Sequence, residues 1–344
     1  MIIKSTKVLI FLLIFLTCQI NVTEAIPDIN AQSYIVIDSE SGRIIGSRNA
    51  EQKLPIASTT KILTTILAIE NIENIEQIIE VPAECTGIEG SSIYLMPKQM
   101  VSIKDLLYGT MLRSGNDAAT TLAAYAGRRN DGGFIEMMNK KAAELGAYNS
   151  NFANPHGLHN ENHYSTAYDL ALISRHAMKN RIFKEISSAE KYKATSMNTF
   201  FFNKNKVVHQ YEYGNGIKIG YTKSAGRCLV ASAEKDGTEI IVVVLNDNNW
   251  FQDSYKIFDW AFENYKSYNI VEKDQFVGRT TEGKPVFISE SFSYLLTEEE
   301  KDKISFKYDI TLPHVLNNSD DEICGSYSIY LRDELIFTGK LVGK

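Results

Sequence analysis

Residues 55–69 read Pro55-Ile-Ala-Ser58-Thr-Thr-Lys61-Ile-Leu-Thr-Thr-Ile-Leu-Ala-Ile69, a polar start followed by an apolar stripe. Apolar side chains recur at three- and four-residue intervals after Lys61, which predicts a helix that Ser58 begins. Ser58 and Lys61 then share one helical face. A serine hydroxyl is a poor nucleophile at neutral pH and needs a base within hydrogen-bond reach, so this pair is a candidate for nucleophilic catalysis.

Lys61 can serve as a base only if its pKa falls well below the usual value of about 10.4. Burial and a second nearby cation both lower the pKa of a lysine, and Lys218 is the candidate cation. The ordinary alternative is that Ser58 caps a helix while Lys61 is a solvated lysine.

Two more short patterns follow in order, Ser114-Gly-Asn116 between helical stripes and Lys218-Ile-Gly220 on a predicted strand. For the first, the alternative interpretation is a helix cap; for the second, it is a surface lysine on an edge strand. Chance matches to such short patterns are common, so order, spacing and context must decide between them. The chance matches here are Ser188-Ala-Glu-Lys191, Ser196-Met-Asn198, Ser267-Tyr-Asn269 and Lys235-Asp-Gly237.

The surrounding chain predicts a mixed fold. Residues 33–47 have the alternation of a hairpin, residues 100–185 are helical in pattern, and Thr166 with Asp169 forms a helix-capping signature. Asp236-Gly237 is a strong hairpin turn between two predicted strands. The predicted strands are Ile217 to Tyr221, Cys228 to Ala233 and Glu239 to Leu245, followed by a closing helix from about Asp253 to Tyr265.

After residue 270 the sequence consists of short β-like pieces, such as Pro285-Val-Phe-Ile and Ser326-Tyr-Ser-Ile-Tyr-Leu. We expect a small all-β second domain there. No serine–lysine pairing of the kind above occurs in it, so its expected role is placement rather than catalysis.

Composition limits the class of protein. The 344 residues carry a net charge of −6, which argues against binding nucleic acid or an anionic bilayer through overall positive charge. Lys4 and Lys7, the apolar run from Val8 to Leu16 and the polar end at Ala25 form the three parts of a signal peptide. We expect export, with cleavage near Ala25; an uncleaved signal acting as an anchor is the alternative.

Cysteine and histidine usage predicts neither a disulfide scaffold nor a metal site. Three scattered cysteines would remain after cleavage, and Cys228 lies in an apolar strand-like run typical of a buried side chain. His156, His159 and His163 cluster in a polar loop, where zinc is conceivable, but no cysteine or pair of acids completes a ligand set. We therefore expect no metal and no cofactor.

In this context the chain resembles the low-molecular-weight penicillin-binding proteins, in particular the D-alanyl-D-alanine carboxypeptidases, with their S-x-x-K, S-x-N and K-T-G elements. The resemblance covers roughly residues 30–265. The motifs that carry it are Pro55-Ile-Ala-Ser58-Thr-Thr-Lys61, Arg113-Ser114-Gly-Asn116-Asp-Ala-Ala and Lys218-Ile-Gly220-Tyr-Thr-Lys-Ser-Ala-Gly. The segments between them add Ser91-Ser-Ile-Tyr-Leu, Asn154-Pro-His-Gly-Leu158 and Tyr164-Ser-Thr-Ala-Tyr-Asp169.

The resemblance implies an α/β (α+β) fold of the β-lactamase and transpeptidase type. Its parts would be an antiparallel sheet flanked by helices, an inserted helical subdomain and a small C-terminal all-β domain. The expected boundaries are 1–25 for the signal peptide, 26–268 for the catalytic domain and 269–344 for the β-rich domain.

The resemblance also implies roles for single residues. Ser58 attacks the carbonyl of the penultimate D-alanine, Lys61 takes its proton, and Ser114 passes a proton to the leaving amine. Asn116 and Lys218 hold the substrate. Gly220, Tyr221 and Thr222 complete the binding edge, and the backbone N–H groups of Ser58 and Tyr221 form the oxyanion hole.

The implied ligands are peptidoglycan pentapeptides and β-lactam antibiotics, and the implied location is the cell envelope or the outer side of a bacterial membrane. No basic amphipathic helix ends the chain. We therefore expect the mature protein to be released, or held at the envelope by protein or wall contacts.

One position departs from the pattern, since Ile219 replaces the threonine of K-T-G. That threonine hydroxyl donates to the substrate carboxylate, and losing such a hydrogen bond costs about 1.5–3 kcal/mol. No arginine or lysine occurs between Leu245 and Tyr255, so no cation there replaces the lost donor. This departure favours one rival function, a weakly active peptidoglycan- or penicillin-binding protein. A second rival, a β-lactamase, shares the serine, lysine and K-x-G elements but needs a glutamate that activates a deacylating water.

Overall fold

The computed structural model of the protein describes residues 25–315 and 322–343. Its strands are β1 (Ser33–Asp38), β2 (Ile44–Arg48), β3 (Ile78–Glu80), β4 (Met100–Ser102), β5 (Lys191–Ala194), β6 (Thr199–Phe202), β7 (Gly214–Thr222), β8 (Gly226–Lys235), β9 (Thr238–Leu245), β10 (Lys266–Val271), β11 (Phe276–Arg279), β12 (Pro285–Ile288), β13 (Phe292–Leu296), β14 (Ile304–Val315), β15 (Glu322–Leu331) and β16 (Glu334–Gly343). Its α-helices are α1 (Lys61–Asn71), α2 (Ile103–Leu112), α3 (Asn116–Gly127), α4 (Gly133–Glu144), α5 (Ala167–Met178), α6 (Arg181–Ser188), α7 (Val207–Gln210), α8 (Trp250–Asn264) and α9 (Glu298–Lys301).

An antiparallel sheet of order β2-β1-β9-β8-β7 organises the first domain. Successive side chains along each strand point to opposite faces of the sheet. Val230 packs on the face that carries α1, whereas its neighbour Leu229 packs on the face that carries α8. Strand β9 is apolar without alternation because helices cover both of its faces. The sheet leaves β7 as an open edge.

The predicted hairpins are present. Strands β1 and β2 pair in antiparallel register, and the turn between β8 and β9 has φ of 50° at Asp236 and 77° at Gly237. Two successive residues with positive φ are typical of a type I′ turn, whose twist matches that of the flanking strands. The Asp236-Gly237 prediction is confirmed.

Helices α2, α3 and α4 pack together beside α1 and form the helical part that the resemblance implied, whereas α5 and α6 contact the central sheet. The predicted capping signature is confirmed, since the Thr166 side chain accepts a hydrogen bond of 3.0 Å from the backbone N–H of Asp169. Two helix starts differ from prediction. Residues 57–60 form a 3₁₀ turn before α1, and the closing helix α8 begins at Trp250, three residues earlier than expected.

The C-terminal β domain is also present. Its sheet has the order β11-β12-β16-β15-β14 and encloses an apolar cluster that includes Val286, Tyr327 and Ile329. The β15–β16 pairing confirms the hairpin that the alternation of residues 326–341 predicted. The expected domain boundary between residues 268 and 269 falls inside β10, which pairs with β13.

Arg43, next to β2, joins the first domain to the C-terminal part. Its guanidinium forms an ion pair of 2.7 Å with Glu300 and lies over the rings of Tyr265 and Tyr294, 5.6 and 5.3 Å from their centroids.

Cys85, Cys228 and Cys324 are free and buried, so the described residues contain no disulfide scaffold. Burial raises the pKa of Cys228 to about 12, which confirms its prediction as an inert buried side chain. The predicted signal peptide lies almost wholly outside the described residues. In the part of the chain that the structure does describe, no helix is long and apolar enough to cross a membrane.

Candidate active site

Ser58 lies in the 3₁₀ turn at the entry to α1. The two threonines that follow it, Thr59 and Thr60, hold this turn in place through their side chains. The hydroxyl of Thr59 donates to the carbonyl of Ile56 over 2.7 Å, and that of Thr60 donates to the carbonyl of Ala57 over 2.8 Å. Ala57 has φ of 48°, a left-handed conformation that is unfavourable for alanine. Such strain persists only where the surroundings impose it, and it is concentrated at functional sites.

Strand β7 approaches this turn closely. A Cβ atom at Gly220 would lie 2.8 Å from the backbone nitrogen of Ser58, so only glycine fits at this position. Lys218, two residues earlier on β7, is 1% exposed, and its Nζ donates to the carbonyl of Ile219. The third motif therefore lies against the first, as its order and spacing predicted.

Lys61 is fully buried and contacts three oxygen atoms. Its Nζ lies 2.9 Å from Ser58 Oγ, 2.7 Å from Asn116 Oδ1 and 2.6 Å from the carbonyl oxygen of His156. A neutral amine has two N–H donors and one lone pair. The two donors match the carbonyl-type oxygens of Asn116 and His156, which leaves the lone pair for the Ser58 hydroxyl proton.

The surroundings favour that neutral amine. Burial, followed by the positive charges of Lys218 and Lys204, holds the pKa of Lys61 well below its usual value, against an opposing contribution from Asp117. Burial, followed by Lys204, lowers the pKa of Lys218 to about 7. Both causes predicted for Lys61, burial and Lys218, are present, and the solvated-lysine alternative is wrong.

The second motif lies in the turn between α2 and α3. Gly115 is the N-cap of α3, and neither Ser114 nor Asn116 caps it with a side chain, so the helix-cap alternative is wrong. Asn116 instead joins Lys61 to the loop carbonyl of Glu89, to which its Nδ2 donates over 2.5 Å. Ser114 is buried and has φ of 61°, a second strained position, two residues before Asn116.

His163 supports the Ser58 turn, a role that the sequence did not indicate. Its Nδ1 accepts from the N–H of Ala153 over 3.0 Å, and its Nε2 lies 2.7 Å from the Thr60 hydroxyl, which already donates to Ala57. Nε2 therefore carries the hydrogen. Burial, followed by Lys61, lowers the pKa of His163 to about 4 and keeps the ring neutral. Within the described residues no three His, Cys, Asp or Glu side chains converge as metal ligands.

Lys204 is the other contributor that sequence reasoning missed, because it belongs to no motif. It follows β6, its Nζ lies 3.4 Å from Ser91 Oγ, and its charge acts on both Lys61 and Lys218. Only the folding of the β5–β6 hairpin against α2 brings it to the site. Asp105 of α2 holds that hairpin by accepting 2.7 and 2.9 Å hydrogen bonds from the Tyr192 hydroxyl and the Ser196 backbone.

We expect Lys204→Gln to shift the pH profile of the site. Removing this cation should raise the pKa values of Lys61 and Lys218, because each is lowered by the charge of Lys204. The rate of acylation by labelled penicillin, measured against pH, should therefore show its acidic limb at higher pH. Lys206→Gln, which removes an exposed lysine two residues further along, should leave the limb in place. An unshifted limb in Lys204→Gln would contradict the electrostatic role.

The fold and this cluster define the class of the protein, a penicillin-binding serine hydrolase. Residues 20–249 match the peptidase S11 family, D-alanyl-D-alanine carboxypeptidase. The chain belongs to that family.

Individual relatives agree with this assignment. D-alanyl-D-alanine carboxypeptidase DacF of Bacillus subtilis (strain 168) is 32% identical over 304 residues, which cover 82% of this chain and 78% of the Bacillus protein. The crystal structure of penicillin binding protein 5 from Haemophilus influenzae matches with a TM-score of 0.78 at 25% identity, covering 92% of this chain and 97% of that chain. Penicillin binding protein 6B from Escherichia coli matches with a TM-score of 0.74 at 26% identity, covering 92% and 96%.

Family membership confirms the resemblance and the fold class predicted from the sequence. It makes the protein a serine-type hydrolase that acts on peptidoglycan in the cell envelope and binds β-lactams.

Proposed function

We propose that the protein removes the terminal D-alanine from pentapeptide stems of peptidoglycan through an acyl-enzyme on Ser58. The observation that carries this proposal is the buried amine of Lys61, 2.9 Å from Ser58 Oγ, with its other two contacts made to oxygens that need its N–H groups. This arrangement gives a serine hydroxyl the base that nucleophilic attack requires.

In the acylation step, Ser58 Oγ bonds to the carbonyl carbon of the penultimate D-alanine while Lys61 takes the hydroxyl proton. The peptide C–N bond then breaks, and a proton reaches the leaving amine through the hydroxyl of Ser114, so that free D-alanine departs. Water next attacks the Ser58 ester with the lysine as base, which releases the tetrapeptide and regenerates the hydroxyl. A β-lactam would acylate Ser58 by the same first step.

The register of β7 supports an oxyanion hole at its open edge. The carbonyl of Arg227 accepts from the N–H of Asp247, so the polar backbone groups of Arg227 point toward β9. Arg227 and its partner Tyr221 on β7 are therefore a non-hydrogen-bonded pair, and the N–H of Tyr221 points outward from the sheet. That direction faces the Ser58 turn, so the N–H groups of Ser58 and Tyr221 can converge on one carbonyl oxygen.

Asn116 and the β7 edge would hold the substrate. With Asn116 Nδ2 engaged by Glu89 and its Oδ1 by Lys61, the side chain is fixed in orientation beside the nucleophile. We propose that Asn116 contacts the peptide amide, that Lys218 supplies positive charge, and that the edge of Gly220, Tyr221 and Thr222 lines the peptide.

The decisive experiment is mass spectrometry of pentapeptide muropeptides incubated with the purified protein. The expected product is the tetrapeptide, lighter by one alanine residue. Pentapeptides that stay intact while the protein forms a stable penicillin adduct would instead support the binding-protein alternative. Rapid hydrolysis of benzylpenicillin would support the β-lactamase alternative.

We further propose that residues 26–268 contain the whole catalytic apparatus and that residues 269–344 place it at the wall. All the site residues described above lie between positions 57 and 222, which supports this division. Export through residues 1–25, with cleavage near Ala25, would deliver the domain to its substrate.

A further inference from the structure

The substrate carboxylate needs a donor that the third motif does not provide, because Ile219 has no hydroxyl. The inference developed here deepens the proposed function and rests on it. A candidate donor has to reach the open edge of β7 near Ile219 and has to carry hydrogen-bond donors that the protein leaves free.

The register of β7 and β8 identifies such a residue. Ile219 pairs with Leu229, and Tyr221 pairs with Arg227. Ile219 and Leu229 pack into the same apolar cluster on the α8 face of the sheet. Because side chains alternate along a strand, Tyr221 and Arg227 project from that same face. Arg227 is thus the diagonal neighbour of Ile219, at a separation that long side chains span.

A cavity lies at this place. It has a volume of about 520 Å³ and is lined by Tyr221, Gly226, Arg227 and the loop residues from Asn248 to Trp250. Tyr221 connects it to the catalytic edge, since the backbone N–H of that residue faces the Ser58 turn. The nearby acid Asp247 is fully buried and does not line the cavity, so the cavity wall carries a cation and no carboxylate.

Most of the donors of Arg227 are available. Among the described residues, its guanidinium makes one hydrogen bond, 2.8 Å from Nη1 to the carbonyl of Asn248, and no carboxylate lies within ion-pair distance of it. A guanidinium has five N–H donors in a planar fork that matches a carboxylate. The Asn248 contact orients the fork at the wall of the cavity while leaving it free to bind.

We propose that Arg227 binds the C-terminal carboxylate of the substrate in place of the missing threonine hydroxyl, and so makes the enzyme selective for a free C-terminal acid. The segment between Leu245 and Tyr255 contains no replacement cation. Arg227 lies on β8, and the pairing of β8 with β7 rather than closeness in sequence brings it near Ile219.

The test compares two peptides, one ending in D-alanyl-D-alanine and the other in the corresponding C-terminal carboxamide. Arg227→Gln should lower kcat/KM for the acid by about tenfold to hundredfold, the range expected for a lost hydrogen bond to a charged group. It should leave kcat/KM for the amide nearly unchanged, so the preference for the acid collapses. Arg227→Lys should fall between the wild type and Arg227→Gln, since lysine keeps the charge but not the fork.

Two further variants sharpen the comparison. Lys235→Gln removes one positive charge from the far end of β8 and should leave kcat/KM unchanged for both the acid and the amide. Adding Ile219→Thr to Arg227→Gln should restore much of the rate on the acid, because it returns the hydroxyl donor. An equal loss on acid and amide in Arg227→Gln would show that Arg227 only holds the Asn248 loop, and unchanged kinetics would show that it does not contact substrate.

Penicillin gives the same comparison without turnover. Acylation by benzylpenicillin should slow in Arg227→Gln, whereas acylation by its uncharged methyl ester should not. If the wild type trims no peptide, the proposed function fails, but this acylation contrast still supports or overturns the role of Arg227.

Discussion

Ser58→Ala is expected to abolish both labelling by penicillin and release of D-alanine. The variant loses the hydroxyl oxygen that lies 2.9 Å from the buried amine of Lys61. Loss of a serine nucleophile costs about 10⁶-fold in kcat, so residual activity should be at the detection limit. The measurements are covalent labelling by a fluorescent penicillin and the rate of D-alanine release.

The chain contains a matched control for this variant. Ser188 and Lys191 form a second S-x-x-K pattern, but Ser188 Oγ donates to the carbonyl of Lys184 at the end of α6. Lys191 lies exposed on β5. Ser188→Ala should therefore keep full labelling. If labelling survives in Ser58→Ala, or disappears in Ser188→Ala, the assignment of Ser58 as the nucleophile is wrong.

Lys61→Met is expected to lower the acylation rate by about 10²–10⁴-fold, the usual contribution of a general base. Methionine keeps much of the length of the side chain but has no lone pair for the Ser58 proton. Lys191→Met, in the chance S-x-x-K match that begins at Ser188, should have no effect. Acylation at the wild-type rate in Lys61→Met would mean that another group activates Ser58.

The pH dependence of stability provides a check that does not depend on activity. The folded-state pKa of Lys61 is lowered, so between that value and about 10.4 the unfolded chain binds more protons than the folded chain. The free energy of unfolding should therefore rise with pH across this window. Lys218 contributes a similar slope above about pH 7. Lys61→Met should flatten the curve without removing the slope that Lys218 contributes.

Local sequence patterns were sufficient for most of the fold and for the choice of Ser58 and Lys61 as the proposed catalytic pair. The Asp236-Gly237 turn and the Thr166 cap depend on neighbours within a few residues, so the chain specifies them without tertiary information. The stripe after Lys61 likewise specified α1. The start of α1 was predicted three residues too early, at Ser58 instead of Lys61, because the 3₁₀ turn holding Ser58 depends on contacts with β7 and with His163.

The sequence by itself determined that Ser58 and Lys61 meet, since three residues at the entry to a helix bring two side chains together wherever the helix packs. It also determined the family, through the order of three motifs. Only the tertiary structure decided which charged side chains surround that pair. The packing of the β5–β6 hairpin brings the charge of Lys204 near Lys61, and strand register places Arg227 diagonally across from Ile219. The physical reason is that electrostatic and hydrogen-bond interactions depend on distance in space, and antiparallel pairing sets that distance between residues that no local pattern connects.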